Sequence, residues 1–140
     1  MANSKARVIR EIMMRSPVTL RPDDTVDLAN DVIYLGRIRH IPIVDGGDLV
    51  GLLSERDLVG AAATLIFGLT QRGKAALLKT LPIGKVMKKH VVTVAPDTTV
   101  REAAQLMADK KIGCLPVVCD GSLVGLVTTT DILRYVETLA

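Results

Sequence analysis

The chain has 140 residues, a net charge of +3 and a hydrophobic fraction of 49%, which suits one domain-sized, mildly basic protein. It has no Trp, one Phe and two Tyr, so its core must be aliphatic, and it lacks the stacking faces of a single-strand nucleic-acid binder. Because Leu58–Leu69 is too short to span a membrane and Met1–Arg15 has no apolar signal segment, we expect a cytoplasmic protein without a membrane partner.

The first half of the chain predicts a strand, a helix, two strands and a second helix. A Pro22-Asp23 turn precedes the first helix, where Thr25 occupies the N-cap position. Pro42 restricts the next strand to an edge or to its first residues. The predicted elements are a strand at 18–20, a helix from residue 26, strands at 41–44 and 49–53, and a helix from Asp57 onward.

A connection of different character occupies residues 60–85. Residues 61–69 are predicted to extend the preceding helix, and Thr70-Gln71-Arg72-Gly73 is predicted to break it. Lys74–Lys79 is then predicted to form another helical turn or two. This segment could cover a binding cleft or form a dimer contact.

The second half repeats the first. Aligning residues 86–133 with 12–59 at a constant offset of 74 gives seventeen identities in 48 pairs without a gap. Thr99 and Glu102 form a capping-box sequence at the N-cap position that Thr25 holds in the first copy. Two copies of one supersecondary unit, each marginal alone, could bury their hydrophobic faces together. We therefore predict an α/β fold of two tandem βαββα repeats packed with pseudo-two-fold symmetry.

A hydroxyl followed three residues later by a carboxylate marks the same position in both repeats. Ser54 precedes Asp57, and Thr128 precedes Asp131, each pair at the junction of a buried strand and a helix. Such a pair is typical of a helix N-cap. It would also suit a ribose clamp, because a carboxylate accepts hydrogen bonds from vicinal hydroxyls. The pattern alone favours the cap and leaves the clamp open.

Catalytic and metal-binding patterns are absent from the sequence. Cys114, Cys119, His40 and His90 lack zinc-type spacing, and both cysteines are interpreted as small hydrophobic residues. There is no nucleophile–base pair, glycine-rich phosphate loop or paired-acid constellation. We therefore predict that the protein is not an enzyme and requires no cofactor.

The duplicated pattern resembles a tandem cystathionine-β-synthase (CBS) domain pair, also called a Bateman module. On this resemblance, 12–59 is the first repeat, 60–85 the connection and 86–136 the second repeat, and together they form one module. The motifs that carry it are Ile12-Met13 and Val86-Met87, Pro22–Val26 and Pro96–Val100, Ile41–Val44 and Leu115–Val118, Leu49–Leu52 and Leu123–Leu126, and the two Ser/Thr-x-x-Asp ends.

The resemblance implies clefts between the repeats that bind adenosine-containing ligands, with AMP, ADP, ATP or S-adenosylmethionine expected. Asp57 and Asp131 would hold ribose hydroxyls, assisted by Ser54 and Thr128. Arg39-His40 could meet phosphates, whereas Gly113-Cys114 could not, so the clefts should be unequal. The residues implied near the adenine are Thr19, Arg39, His40, Ile41 and Pro42 in the first repeat and Thr93, Gly113, Cys114, Leu115 and Pro116 in the second.

Function is then predicted to be regulatory. The protein would sense an adenine nucleotide, form a homodimer and act by ligand-dependent conformational change on an unidentified regulated protein. One alternative is a ligand-free dimerisation or scaffold module in which both acids only cap helices. A less favoured alternative is nucleic-acid binding through the basic clusters at 37–40, 88–90 and 110–111.

Overall fold

The computed structural model describes residues 7–139, without the side chains of residues 61, 62 and 64–66. Its contacts divide the chain into two compact units. The first unit is Val18–Val91, and the second unit consists of the flanking residues, up to Pro17 and from Val92. In chain order the elements are β1 (Met14–Arg15), α1 (Val26–Gly36), β2 (His40–Asp45), β3 (Asp48–Ser54), α2 (Glu55–Ile66), α3 (Gln71–Thr80), α4 (Val100–Lys110), β4 (Cys114–Cys119), β5 (Ser122–Thr128) and α5 (Thr129–Glu137).

The predicted helix caps are confirmed. The Thr25 hydroxyl accepts a hydrogen bond of 3.3 Å from the Leu28 amide and begins α1. At the start of α4, the Thr99 hydroxyl accepts from the Glu102 amide at 3.0 Å, and the Glu102 carboxylate accepts from the Thr99 amide at 3.2 Å. The capping-box sequence therefore forms the two reciprocal bonds that satisfy otherwise unpaired amides.

Each unit contains one antiparallel hairpin, as predicted. In the first unit, β2 pairs with β3 from His40 opposite Ser54 to Asp45 opposite Asp48. In the second unit, β4 pairs with β5 from Cys114 opposite Thr128 to Cys119 opposite Ser122. Both two-residue turns have positive φ, at Gly46-Gly47 and at Asp120-Gly121, the backbone that joins tightly paired strands.

A short strand was predicted before α1 and, by the repeat, before the equivalent helix α4. Each is reduced to a single bridge, so the prediction of a strand there is wrong. Leu20 bridges Ile43 in parallel: its amide donates to the Pro42 carbonyl at 3.2 Å, and its carbonyl accepts from Val44 at 2.9 Å. Extension towards residue 18 would need an amide hydrogen on Pro42, and extension towards residue 22 would need one on Pro22. Val94 bridges Val117 in the same way, between Pro116 and Pro96.

The helix predicted within the connection begins earlier than expected. The sequence predicted a break over residues 70–73, but α3 starts at Gln71. The Thr70 hydroxyl accepts from the Gly73 amide at 3.0 Å, so Gly73 lies in a capped first turn. A hydrogen-bonded N-cap offsets the low helix propensity of that glycine.

Compact units and sequence repeats do not coincide. The segment that leads into the second repeat lies in the first unit, where Met87 occupies the space that a Cβ on Gly51 would need. The segment that leads into the first repeat lies in the second unit, where Met13 fills the equivalent space at Gly125. Each unit therefore combines most of one repeat with the segment that leads into the other, and we call residues 7–17 and 81–91 the leading segments.

Both units have aliphatic cores, as the composition predicted. Val26, Ala29, Ile41, Ile43, Leu53 and Ile83 are essentially inaccessible in the core of the first unit. The core of the second unit is formed by Ile9, Val94, Val100, Ala103, Met107, Leu115, Val117 and Val127. Burial of these side chains is the main source of stability for each unit.

Candidate ligand-binding faces

The strand register of the first unit places one set of side chains opposite the core. Ile41 and Leu53 pair within the core, so the side chains on either side of them in sequence point the other way. His40 pairs with Ser54, Pro42 pairs with Leu52, and Lys88 bridges Leu52 from the other edge of β3. We call this set the site face of the first unit: His40, Pro42, Leu52, Ser54 and Lys88.

The second unit has an equivalent face with different chemistry. Cys114 pairs with Thr128, Pro116 pairs with Leu126, and Met14 pairs with Leu126 from β1. At the constant offset of 74, Met14 corresponds to Lys88 and Cys114 to His40. We call Met14, Cys114, Pro116, Leu126 and Thr128 the site face of the second unit. It carries no ionisable group with a positive charge.

Asp57 stands beside the first site face with a carboxylate that forms no hydrogen bond to any described residue. The Ser54 hydroxyl accepts from the Asp57 amide at 2.9 Å and so begins α2. The half-buried carboxylate does not return a bond to the Ser54 amide. The cap thus uses the backbone of Asp57 and leaves both carboxylate oxygens as free acceptors.

The Asp131 carboxylate, unlike that of Asp57, accepts hydrogen bonds within its own cap. It accepts from the Thr128 amide at 2.9 Å and from the Thr128 hydroxyl at 3.2 Å. The Thr128 hydroxyl in turn lies 3.4 Å from the Asp131 amide and completes a capping box at the start of α5. The same Ser/Thr-x-x-Asp pattern therefore caps a helix in both units, but only in the second unit does the Asp carboxylate take part in the cap.

Burial sets the ionisation of two residues on these faces. Desolvation lowers the pKa of His40 below 6.5, the positive charges of Arg39 and Lys88 lower it further, and Asp57 opposes the shift. Burial, with a contribution from the Asp131 charge, raises the pKa of Cys114 to about 12. His40 is therefore neutral at pH 7, and the Cys114 thiol is protonated at that pH.

The other predicted site residues fall into three groups. Ile41 and Leu115 direct their side chains into the cores, so only their backbone could meet a ligand. Pro42 and Pro116 lie on the site faces but are fully buried within the chain. The exposed residues among the predicted set are Thr19, Arg39, Thr93 and Gly113.

Backbone hydrogen bonds fix the residue before each Pro-containing strand. The Arg39 carbonyl accepts from the Glu55 amide at 2.9 Å, and the Gly113 carbonyl accepts from the Thr129 amide at 3.0 Å. Each bond joins the start of the Pro-containing strand to the helix that carries Asp57 or Asp131. Within the described residues Arg39 makes no ion pair. The Arg39 side chain is exposed and therefore available to an anion, and its charge acts on the His40 ring.

One cavity of about 340 Å³ lies in the first unit between α1 and α2. Of the predicted ligand residues, only Arg39 lines it. Its other walls are Asn30, Ile33, Tyr34, Arg37, Ile38, Glu55, Leu58 and Val59. The cavity therefore does not coincide with the group formed by His40, Ser54 and Asp57.

Sequence reasoning missed Lys88 and Met14 as members of the faces. The basic cluster at 88–90 was noted, but the position of Lys88 depends on a pairing with β3 that crosses 36 residues of sequence (88 − 52 = 36). The available signal was the alignment at an offset of 74, in which Lys88 and Met14 hold one position. That alignment shows equivalence but not which strand the position joins.

The described part of the chain shows neither a metal-type cluster nor a helix that could cross a membrane. No three or more His, Cys, Asp or Glu side chains between residues 7 and 139 are grouped as metal ligands would be. In the same part of the chain, no helix combines the length and apolar character that a bilayer crossing requires.

Comparison with known proteins assigns the family. The CBS domain family matches the chain twice, at residues 9–64 and 83–138, so the chain belongs to the CBS domain family. A CBS domain-containing protein of Dictyostelium discoideum is 31% identical over 128 residues, which are 90% of this chain and 88% of that protein. The resemblance predicted from the duplicated motifs is thereby confirmed.

A solved structure supports the same fold. The CBS domain pair of protein MJ0100, in complex with 5′-methylthioadenosine and S-adenosyl-L-methionine, is 28% identical with a TM-score of 0.80. The match covers 97% of this chain and all of that one. The α/β fold with two CBS repeats is therefore confirmed.

Some relatives carry the match as part of a longer chain. The inosine-5′-monophosphate dehydrogenase of Methanocaldococcus jannaschii is 34% identical over 126 residues, but these residues are only 22% of that enzyme. The name of that enzyme therefore describes a chain of which this fold is a minor part, and it does not transfer to the present chain.

Proposed function

We propose that this protein is a regulatory module that binds an adenosine-containing ligand, with the principal contacts to ribose and phosphate made by the first unit. The observation that carries the proposal is the Asp57 carboxylate, which is half-buried, accepts no hydrogen bond within the described residues and lies near His40, on which the charge of Arg39 also acts. The complex of the MJ0100 domain pair with two adenosine derivatives supports the same ligand class.

The chemistry of the proposed site follows from these groups. A free carboxylate accepts hydrogen bonds from the 2′- and 3′-hydroxyls of ribose, and such charge-assisted bonds are about twice as strong as neutral ones. The Ser54 hydroxyl lies on the same face. A phosphate group would be attracted by Arg39, and its negative charge would favour protonation of His40.

Binding would act without chemistry on the ligand. A ligand that prefers one conformation of the protein shifts the population towards it, and the exposed surface changes with that population. We propose that a separate cytoplasmic protein reads this change. The Cys114 thiol supplies no nucleophile at pH 7, because burial raises its pKa to about 12.

A ligand screen tests the proposal. Thermal unfolding is measured with AMP, ADP, ATP, S-adenosylmethionine and 5′-methylthioadenosine, and a hit is then titrated by calorimetry. A ligand at 100 times its Kd should stabilise the fold by about 2.7 kcal/mol. If none of these ligands raises the melting temperature at millimolar concentration, the sensing function is wrong.

A scaffold without ligand is the second candidate. The capping role of Ser54, Thr128 and Asp131 favours it, because these residues have a structural use without any ligand. It does not account for the Asp57 carboxylate, which contributes no bond to its own cap. Adenosine ligands would leave the melting temperature of a scaffold unchanged, whereas salt-sensitive capture of an oligonucleotide would favour the nucleic-acid alternative.

A further inference from the structure

We infer that Lys88 is a specificity-determining residue of the first site face and makes that face prefer adenosine ligands that carry phosphate over adenosine itself. The inference rests on the proposed function and goes beyond it, since it assigns a residue from the segment that leads into the second repeat to the site of the first. The cationic character of this face would thus come from two distant parts of the sequence.

The backbone of Lys88 is fixed on the outer edge of β3. The Lys88 amide donates to the Leu52 carbonyl at 2.9 Å, and the Leu52 amide donates to the Lys88 carbonyl at 3.0 Å. Directly bonded partners in an antiparallel pair direct their side chains to one face of the sheet. Lys88 therefore shares the face of Leu52, on which Ser54 and His40 also lie.

The ammonium group of Lys88 is available to an anion. Lys88 is exposed, and it forms no ion pair with any residue between 7 and 139. Its charge acts on the His40 ring, together with that of Arg39, and both lower the pKa of His40. The carboxylate nearby is Asp57, which opposes that shift. Two cations and one carboxylate thus act on His40.

The equivalent face of the second unit lacks this charge. The positions that correspond to Lys88, Arg39 and His40 are occupied by Met14, Gly113 and Cys114. Because the backbone pairing is the same in both units, the difference lies in side-chain chemistry. A phosphate group would find its cations on the first face, whereas the second face offers none.

The test compares AMP with adenosine on three proteins. Wild type, Lys88→Met and Lys89→Met are titrated by calorimetry with each ligand at low and at physiological salt. Methionine is the residue that the second unit carries at this position, and it preserves the length of the aliphatic side chain. Lys89 is the exposed neighbour, so Lys89→Met removes the same charge from an adjacent position.

We expect Lys88→Met to weaken AMP binding roughly tenfold and to leave adenosine binding within about twofold of wild type. The salt dependence of AMP binding should become shallower in Lys88→Met but not in Lys89→Met. If AMP binding falls equally in both variants, or in neither, the role of Lys88 is overturned while the proposed function stands. If wild type binds neither AMP nor adenosine nor any ligand of the screen, both proposals fail.

Discussion

At the scale of single residues, the most informative side chain is His40, because its charge state reports the balance of charges on the first site face. It lies partly buried beside two cations and one carboxylate, and its pKa is lowered mainly by desolvation. The unfolded chain, with an ordinary pKa near 6.5, therefore binds more protons than the folded chain just below that value.

The first prediction concerns stability against pH. As the pH falls from 7 through 6.5 towards the folded-state pKa of His40, the free energy of unfolding of the ligand-free protein should fall, and His40→Gln should remove this part of the loss. Urea unfolding between pH 5 and 7.5 measures it. His90→Asn is the control, since His90 is the only other histidine and is exposed. Equal pH dependence in wild type and His40→Gln would contradict the prediction.

The second prediction concerns the two cysteines. Cys114 is buried with a pKa of about 12, whereas Cys119 is exposed. Iodoacetamide at pH 8 should therefore modify the native protein once, at Cys119, because the thiolate is the reactive species. The same treatment in guanidinium chloride should add a second group. Peptide mass spectrometry identifies the sites, and rapid native modification of Cys114 would show that its environment is open.

At the scale of elements, two glycines accept methionine side chains from the leading segments. A Cβ on Gly51 would lie 2.9 Å from the Met87 Cγ and 3.1 Å from the Lys88 carbonyl oxygen. A Cβ on Gly125 would lie 2.9 Å from the Met14 carbonyl oxygen. The backbone contacts cannot be relieved by a rotamer change, so glycine is required where the leading segment crosses the strand.

The third prediction follows from this packing. Gly51→Ala and Gly125→Ala should each lower the free energy of unfolding by about 1–3 kcal/mol, the usual cost of overpacking. Gly60→Ala is the control: nothing lies within 4 Å of a Cβ at that position, and alanine in a helix interior should stabilise by up to about 1 kcal/mol. Urea denaturation of wild type and the three variants measures these changes in the free energy of unfolding. A neutral Gly51→Ala would mean that the Met87 segment does not pack there.

Prediction from the sequence succeeded where local rules determine the element. The caps at Thr25 and Thr99, the Pro-Asp turns and both hairpins follow from short patterns, and the structure has them. It was wrong for the strands at 18–20 and 92–94, where the apolar pattern suggested pairing but two prolines remove the amides that a longer parallel ladder would use. The sequence also could not predict that the Asp131 carboxylate takes part in a cap and the Asp57 carboxylate does not, because both residues follow the same Ser/Thr-x-x-Asp pattern.

At the scale of the whole molecule, the repeat was visible in the sequence, but the exchange of leading segments between the compact units was not. An alignment at constant offset shows which residues are equivalent. It does not show that Ile9 packs with Val100 or that Ile83 packs with Val26. Such pairings depend on contacts distant in sequence, which a local pattern does not encode.

The fourth prediction is that the protein forms a homodimer, for which large exposed apolar side chains give the physical reason. Tyr34 and Leu35 on α1 are 80% and 77% exposed, and Leu133 on α5 is 58% exposed. Light scattering with size exclusion should give twice the chain mass of 15.0 kDa at micromolar concentration. Leu133→Lys should shift the mass towards that of one chain. A monomeric wild type at tens of micromolar would contradict the prediction.

The central claim is that the Asp57 carboxylate binds a ligand, whereas the Asp131 carboxylate caps α5. It is tested most directly by calorimetric titration of the best adenosine ligand into wild type, Asp57→Asn and Asp131→Asn, with unfolding measured in parallel. Asp57→Asn should bind roughly tenfold or more weakly and unfold like wild type. Asp131→Asn should lose up to about 1 kcal/mol of stability and still bind at the first unit. Wild-type affinity in Asp57→Asn would show that the Asp57 carboxylate does not bind the ligand, and the site assignment would then be wrong.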